Sequence, residues 1–314
     1  MKNPSWTRHN LQESAGHWIH CLTTEEANEI RHAAPSSINA IIQTALLELE
    51  SGHGVYLFRD FPLLADIEDQ KAAYLRFGEW MGQPVSQDRQ GSKIVDIRKT
   101  QASLDEAIHY KAKSSGQLSR PYETSVAFSC HADPCDVAGL LCLQNAATGG
   151  ETLLVSAVEV LTRLERSQPD LAHVLSEPFP YARPGKEGSF HAIPVISWCD
   201  GFLKSHIVPE LIFLSQGKPG IPALTAIQKS ALVAFTNLCR DPELVYTLTL
   251  KPGDLLLVNN HIVLHGRNQY HDNADPRHLL RLWLSVSNSR PLDPIHANWF
   301  GSSEAGAIRG GYGP

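Results

Sequence analysis

Four short β-prone runs crowd together late in the chain: Tyr246 to Leu250, Asp254 to Val258, Ile262 to Gly266 and His278 to Ser287. Only turn residues separate them, so this part of the chain reads as strands without intervening helices. A second group of strand-like runs lies earlier, at Ser125 to His131, Val137 to Leu143 and Glu151 to Val155, with Asp133-Pro134 and Ala147-Thr148-Gly149-Gly150 as the connections. Between the two groups the pattern is helical over Ala157 to Leu175, with Pro169 inside it and Pro178 closing it, and again over Pro222 to Cys239. Asp200-Gly201 reads as a hairpin turn. In front, Ser36 and Ser37 precede Ile38, Ile41, Ile42, Ala45, Leu46 and Leu49, an apolar helix face with a serine cap, and Gly52-His53-Gly54 ends it. Val55 to Phe58 is a short strand, a helix carrying Ile67, Tyr74, Phe77 and Met81 stops near Gly82 and Pro84, and Ile94, Val95 and Ile97 suggest one more strand. Strands in two clusters with helices in front and between them indicate a mainly β fold with flanking helices, a sandwich or jelly roll. A parallel βαβ protein would alternate strands and helices regularly and carry a glycine-rich phosphate turn, and Gly149-Gly150 lacks that spacing.

Composition narrows the partners. A net charge of −6 and no block of like charge argue against a nucleic-acid surface. No apolar run reaches the length of a membrane helix, and Met1-Lys2-Asn3-Pro4-Ser5-Trp6 lacks the apolar core of a signal peptide. The expectation is a soluble, cytoplasmic protein with a small-molecule partner, compatible with a homo-oligomer. Six cysteines are dispersed without a Cys-x-x-Cys pair, which suits reduced thiols; Cys130 and Cys135 flank the stretch considered next, but at no zinc spacing. Lys99 to Thr124 is polar and without periodicity, to be read either as a lid or as a mobile loop.

Chemistry concentrates at Phe128-Ser129-Cys130-His131-Ala132-Asp133. On an extended strand alternate side chains share a face, so His131 and Asp133 would form a clip. Two histidines and one carboxylate on one side of a metal leave positions open, as in non-heme Fe(II) oxygenases, so a third ligand is required. His265 closes an apolar run and precedes Gly266, where backbone can approach a ligand; it is the chosen third ligand, with His261 as its competitor. Arg277 and Arg281 follow on an apolar strand, where two guanidinium groups on one side call for two carboxylates or one dianion, or for acids of the same fold.

His131-x-Asp133, Gly149-Gly150-Glu151-Thr152, Leu264-His265-Gly266-Arg267 and Arg277-x-x-x-Arg281, in this order, resemble the Fe(II)/2-oxoglutarate-dependent oxygenases of the taurine dioxygenase and gamma-butyrobetaine hydroxylase (TauD/TfdA-like) superfamily. Similarity over Gly54 to Pro62 and Leu75 to Pro84 extends the resemblance over most of the chain. It implies a clavaminate synthase-like double-stranded β-helix in a single domain, 1–314. Residues 1–90 would form a helical flank, 125–157 and 245–290 the metal-bearing core, and 158–244 an insertion. It implies Fe(2+) on His131, Asp133 and His265, with 2-oxoglutarate and O2 as cosubstrates. Thr152 and Arg277 would take the distal carboxylate of 2-oxoglutarate, and Arg281 an acidic group of the substrate, such as an amino acid derivative. Arg267 would be a surface or supporting residue. The implied reaction is oxidation of an unactivated C–H bond: hydroxylation, desaturation or ring closure. The carboxylate at Asp133 speaks for oxygenation over halogenation, which would want Gly or Ala there. A zinc-dependent hydrolase using the same three residues, and a non-catalytic binding module on the same fold, are the alternatives; a serine or cysteine hydrolase lacks its Gly-x-Ser-x-Gly elbow. The stretches 99–124 and 183–216 would face the substrate.

Overall fold

A computed structural model describes residues 4–108, 111, 119–182 and 189–312. The chain builds two main sheets. The larger has seven strands: Ile19–Cys21, Val55–Arg59, Leu255–Asn259, Val137–Gln144 and His278–Ser285 in that order, with Gln83–Pro84 and Ile94–Ile97 both paired to His278–Ser285. The smaller orders Tyr246–Leu248, Thr152–Ser156, Val263–Arg267 and Phe128–His131. Every ladder is antiparallel except Ile19–Cys21 on Val55–Arg59.

Within the runs 128–156 and 246–285 consecutive strands of the two main sheets do not pair. Each hands the chain to the other sheet, so the late runs go small, large, small, large, and Phe128–His131, Val137–Gln144 and Thr152–Ser156 alternate likewise. That alternation is the winding of a double-stranded β-helix, and it is what brings early and late segments side by side. The Asp133-Pro134 connection therefore joins two sheets.

Apolar patterning explains the layers. Along Leu255–Asn259 every residue is buried, because both faces of the large sheet are covered. Leu256 and Val258 pack in a core shared with Leu154, Val155, Val263 and Leu264 of the small sheet. Leu255 and Leu257 turn the other way, onto Ile42, Leu46, Leu49, Tyr74 and Phe77 of the helices Ile38–Ser51 and Ile67–Met81. Helices Ala157–Ser167, Pro169–Val174 and Ala226–Leu238 add Leu161, Leu164, Leu232 and Phe235 to the inter-sheet core. Asp200 (φ 50°) and Gly201 (φ 80°) form the left-handed turn between Ile196–Cys199 and Phe202–Ser205.

Several local expectations change. Ser36 and Ser37 do not cap their helix; the Glu29 carboxylate accepts from the backbone N–H groups of Ser36 (2.8 Å), Ser37 (3.0 Å) and Ile38 (3.0 Å). The bonds from Ile38 and Ser36 hold its pKa down at about 2. Within the flank 1–90, helices Arg8–Glu13, Ala15–Trp18 and Thr24–His32 precede the first helix read from sequence. Within 99–124 a helix, Leu104–Ile108, and a 3-10 turn, Pro121–Glu123, carry structure, while 109, 110 and 112–118 lie outside the described residues, as do 183–188 of the stretch 183–216. Among the described residues no helix is long and apolar enough to cross a membrane.

Candidate metal centre

His131 and His265 are direct partners across the ladder that joins Phe128–His131 to Val263–Arg267, and their ring centroids stand 4.5 Å apart. The strand ends at His131, so Asp133 does not reach the same space by alternation. A turn carries it there. Ala132 N–H donates to Ile207 O (3.0 Å), and Asp133 N–H to the Asn260 side-chain oxygen (3.0 Å), while Asn260 Nδ2 donates to Cys135 Sγ (3.2 Å). The Asp133 carboxylate then faces both rings, Oδ1 3.6 Å from His131 Nε2 and Oδ2 3.6 Å from His265 Nε2. The three donor atoms lie within 4.8 Å of one another, all three residues are buried, and they are the one such group among the described residues.

Supporting bonds set each donor. His131 Nδ1 lies 2.9 Å from Ser129 O, which can only accept, so Nδ1 holds the proton and the Nε2 lone pair faces inward. Trp283 Nε1 donates to Asp133 Oδ2 at 2.8 Å, and Arg281 Nη1 stands 3.5 Å from the same oxygen. Burial opposes ionisation of Asp133, yet the Arg281 charge and the two imidazoles outweigh it and hold the carboxyl well below its usual range. Burial also disfavours charge on His265, whose pKa is lowered, with the His131 charge adding to it. A deprotonated carboxylate and imidazole lone pairs are the donor states a borderline divalent cation requires, so the residues fit iron(II).

His261 is no part of this group. Its Nε2 lies 2.9 Å from Asp136 Oδ1, in a buried network where Asp136 also accepts from Arg309 Nε (2.8 Å) and Val286 N–H (3.1 Å). Gly266 serves a neighbouring strand: a Cβ there would fall 2.7 Å from Phe128 O and 3.0 Å from Cys130 N, at a bulge where His265 and Arg267 pair with His131 and Phe128. All six cysteines are free, and none joins the metal-type cluster.

The cluster forms a wall between two cavities. One is lined by Thr152, Arg277, Ile97, Leu140 and Leu279 beside His131 and His265. Arg277 Nε and Nη1 are buried there without a hydrogen-bond partner, and burial lowers the guanidinium pKa. The guanidinium lies over the Tyr270 ring, 5.4 Å from its centroid, but a buried cation with unused N–H donors favours an anion, so this cavity fits a ligand carboxylate. The Gly149-Gly150 turn makes room for it: both residues have positive φ (74° and 77°), and a Cβ on Gly150 would press on Arg277 Nε at 3.3 Å. Arg267 is not a surface residue. It is buried, donates through Nη2 to Thr124 O (2.8 Å) and Val126 O (2.5 Å), and stacks over Tyr270.

The other cavity has walls from Tyr122, Pro134, Val208, Leu211, Trp283 and Trp299. Arg281 lines both. Its Nε donates to Gln87 Oε1 at 2.7 Å, and the guanidinium carbon lies 4.6 Å from the Trp283 ring centroid and 5.2 Å from that of Tyr122. Gln87 uses its amide N–H groups as well, on Lys93 O and Arg281 O at 2.8 Å each, so it clamps Arg281 by backbone and side chain. Sequence reasoning missed Gln87, Trp283 and Asn260; a glutamine, a tryptophan and an asparagine carry no spacing signal.

Residues 19–283 match the family described as taurine catabolism dioxygenase TauD, TfdA family. FR-33289 synthase of Streptomyces rubellomurinus (strain ATCC 31215) is 27% identical over 261 residues, 80% of this chain and 74% of that protein. Human gamma-butyrobetaine dioxygenase is 26% identical over 180 residues, 53% of this chain and 41% of its own. Among solved structures, asparagine oxygenase with Fe(II), 2S,3S-3-hydroxyasparagine and succinate superposes with a TM-score of 0.65 at 16% identity, covering 85% of this chain and 93% of that one. The non-heme iron oxygenase OrfP with Fe and alpha-ketoglutaric acid gives 0.62 at 15% identity, covering 92% and 99%. The winding of the sheets agrees with those neighbours, and with the family match spanning both halves of the β core, the chain belongs to the TauD/TfdA family and is an iron(II)- and 2-oxoglutarate-dependent dioxygenase.

Proposed function

We propose that His131, Asp133 and His265 hold the iron, that Thr152 and Arg277 hold the distal carboxylate of 2-oxoglutarate, and that Arg281 receives an acidic group of a small substrate, such as an amino acid derivative, in the second cavity. The observation that carries this reading is the position of the three donor atoms: they separate a cavity containing a buried, unpartnered guanidinium from one walled by aromatic rings, with Arg281 on the boundary. Relatives named for asparagine and for hydroxy-arginine complexes support an amino acid or its derivative as the substrate class. The free thiols support a reducing, cytoplasmic setting.

Iron(II) with 2-oxoglutarate and dioxygen supplies the oxidant for an unactivated C–H bond, with succinate and carbon dioxide as the other products. The chain's own work is positional. Ser129 O keeps the His131 proton on Nδ1, and Trp283 and Arg281 keep the Asp133 carboxylate ionised and oriented. Arg277 compensates its buried charge with the cosubstrate, which fixes the register of that molecule against the triad. The rings of Tyr122, Trp283 and Trp299 exclude water from the substrate's side. Arg281, held by Gln87, orients the substrate's acidic end while its stacked carbon faces stay dry.

An anaerobic titration tests the assignment. Fe(II) and 2-oxoglutarate added to the apo-protein should develop a metal-to-ligand absorption band that is absent from Asp133→Ala, and a small acid that binds should shift it. A full-strength band in Asp133→Ala would remove Asp133 from the metal, and full turnover with zinc in place of iron would favour the hydrolase reading instead.

A further inference from the structure

The family match ends at residue 283, yet the chain beyond it returns to the second cavity, where Trp299 and Tyr312 form part of the wall. This returning segment is firmly tied. Arg309, 2% exposed, donates from Nε to Asp136 Oδ1 (2.8 Å), from Nη1 to Glu304 O (3.1 Å) and from Nη2 to Arg290 O (2.7 Å). Arg290 in turn donates to Glu50 Oε1 (2.8 Å) and to Leu203 O (2.9 Å).

After Arg309 the backbone threads between the two sides of the site. Gly310 N–H donates to Phe300 O (2.7 Å), Gly311 N–H to Pro134 O (2.6 Å) and Tyr312 N–H to Ser86 O (2.9 Å). Pro134 follows Asp133, and Ser86 precedes the clamp Gln87, so the consecutive residues Gly311 and Tyr312 bridge both. Only glycine fits the passage: Gly310 and Gly311 have φ of 86° and 75°, and added Cβ atoms would lie 2.8 Å from Pro134 O and 2.5 Å from Ser86 O. The passage delivers the Tyr312 ring to within 5.9 Å of the Trp283 centroid, with the Arg120 guanidinium carbon 5.5 Å from it on the cavity wall. Trp283 is the residue that bonds Asp133.

We infer that Tyr312, delivered by this strap, is a specificity-determining residue: its ring limits the bulk of the substrate body whose acidic end lies on Arg281, and it seals that side of the cavity. The inference rests on the reading of the second cavity as the substrate's. Trp299 supports it from the same segment. Its indole N–H is buried with no acceptor among the described residues, beside His206, whose two ring nitrogens are likewise unpartnered. The strap thus contributes apolar wall and an unfilled donor, and leaves the Thr152 and Arg277 side untouched.

The test compares wild type, Tyr312→Ala, Tyr312→Phe and Arg281→Ala as iron-loaded enzymes, with melting temperatures matched first. The probes are taurine, L-asparagine, gamma-butyrobetaine and L-arginine, acids of increasing bulk, read by anaerobic calorimetry and by the ratio of succinate to oxidised product. Succinate formed with no added acid is read as well, and needs no substrate. Tyr312→Ala should raise acid-free succinate formation at least about threefold, and shift binding toward the bulkier acids by about tenfold relative to the smallest, with the KM for 2-oxoglutarate within about twofold. Tyr312→Phe should behave as wild type. Unchanged acid-free succinate in Tyr312→Ala, or a KM for 2-oxoglutarate that moves as far as acid binding, overturns the inference. If Arg281→Ala weakens acid binding and Tyr312→Ala changes nothing, the strap assignment alone falls; if neither variant affects acids that wild type binds, the substrate reading of this cavity falls with it.

Discussion

The two cavities on either side of the histidines are built in different ways. The one holding Thr152 and Arg277 is framed by paired strands: Thr152 lies opposite Arg267 in the small sheet, and Leu140 and Leu279 sit on neighbouring, paired strands of the large one. The other takes Tyr122 from a 3-10 turn, Val208 and Leu211 from the entry and body of a short helix, and Trp299 and Tyr312 from the returning strap. A ladder cannot move one residue without turning its side chains over, whereas a turn or strap can be rebuilt with little cost to the sheets. On the proposed reading, the cosubstrate therefore lies on the side framed mostly by strands and the substrate on the side to which turns and loops contribute more.

The heaviest blow to this contrast would fall on both cavities at once. Asp133→Ala should lower iron retention to about a tenth and 2-oxoglutarate turnover by about a thousandfold, with metal content and succinate as the measurements. Retained turnover would mean that the shared wall is not the metal centre.

Arg277→Met should strike one side only. Losing the partner of a buried carboxylate costs about 2–5 kcal/mol, so the KM for 2-oxoglutarate should rise at least about thirtyfold. The melting temperature without ligand should change little, because the variant removes a buried cation whose Nε and Nη1 make no hydrogen bond in the free protein, although it also loses the contact with the Tyr270 ring. A large fall in that melting temperature would show that Arg277 is structural.

Acid should strike the other side. His206, His261 and His296 surround Phe300 beneath the aromatic cavity, and burial keeps all three imidazoles below their ordinary pKa, His296 down at about 3. The unfolded chain binds a proton near the ordinary 6.5 where folded His296 binds none, so stability falls as pH drops from about 6.5 toward 3. Denaturant melts across that range should lose on the order of a few kcal/mol, and His296→Phe should flatten the slope. An unchanged slope would assign the acid sensitivity to other groups.

The mildest test is Gly150→Ala, which forces a side chain onto positive φ and against Arg277 Nε. It should cost about 1–2 kcal/mol and weaken 2-oxoglutarate severalfold while sparing acid binding in the aromatic cavity.

The same contrast explains how much could be read from the sequence. The strands announced themselves through apolar runs and turn residues, and the sandwich architecture with them; the candidates His131, His265 and Arg281 lie on those runs, whereas Thr152 and the role given to Arg277, which precedes its strand, came from the family resemblance. Asp133 was found with the wrong geometry, since it sits on a turn pinned by Asn260 and not on the strand. His261 looked like a competitor because sequence cannot show that Asp136 and Arg309 would surround it. The strap was invisible: Gly310-Gly311-Tyr312 has no period, and its meaning depends on backbone carbonyls contributed by residues 86 and 134. Glu29 capping a helix nine residues ahead was hidden for the same reason, a side chain acting at a distance that local propensity does not register.

Because His131 and His265 meet as cross-strand partners, the proposed iron site depends on the register of two strands remote in sequence. Loops between them can change length as long as both strands return in register, whereas a single-codon indel within either strand breaks the pair, and the intervening helices stay bound to the sheets through Leu161, Leu164, Leu232 and Phe235. On the proposed reading, a change in loop length alters what is oxidised and leaves the oxidising apparatus in place.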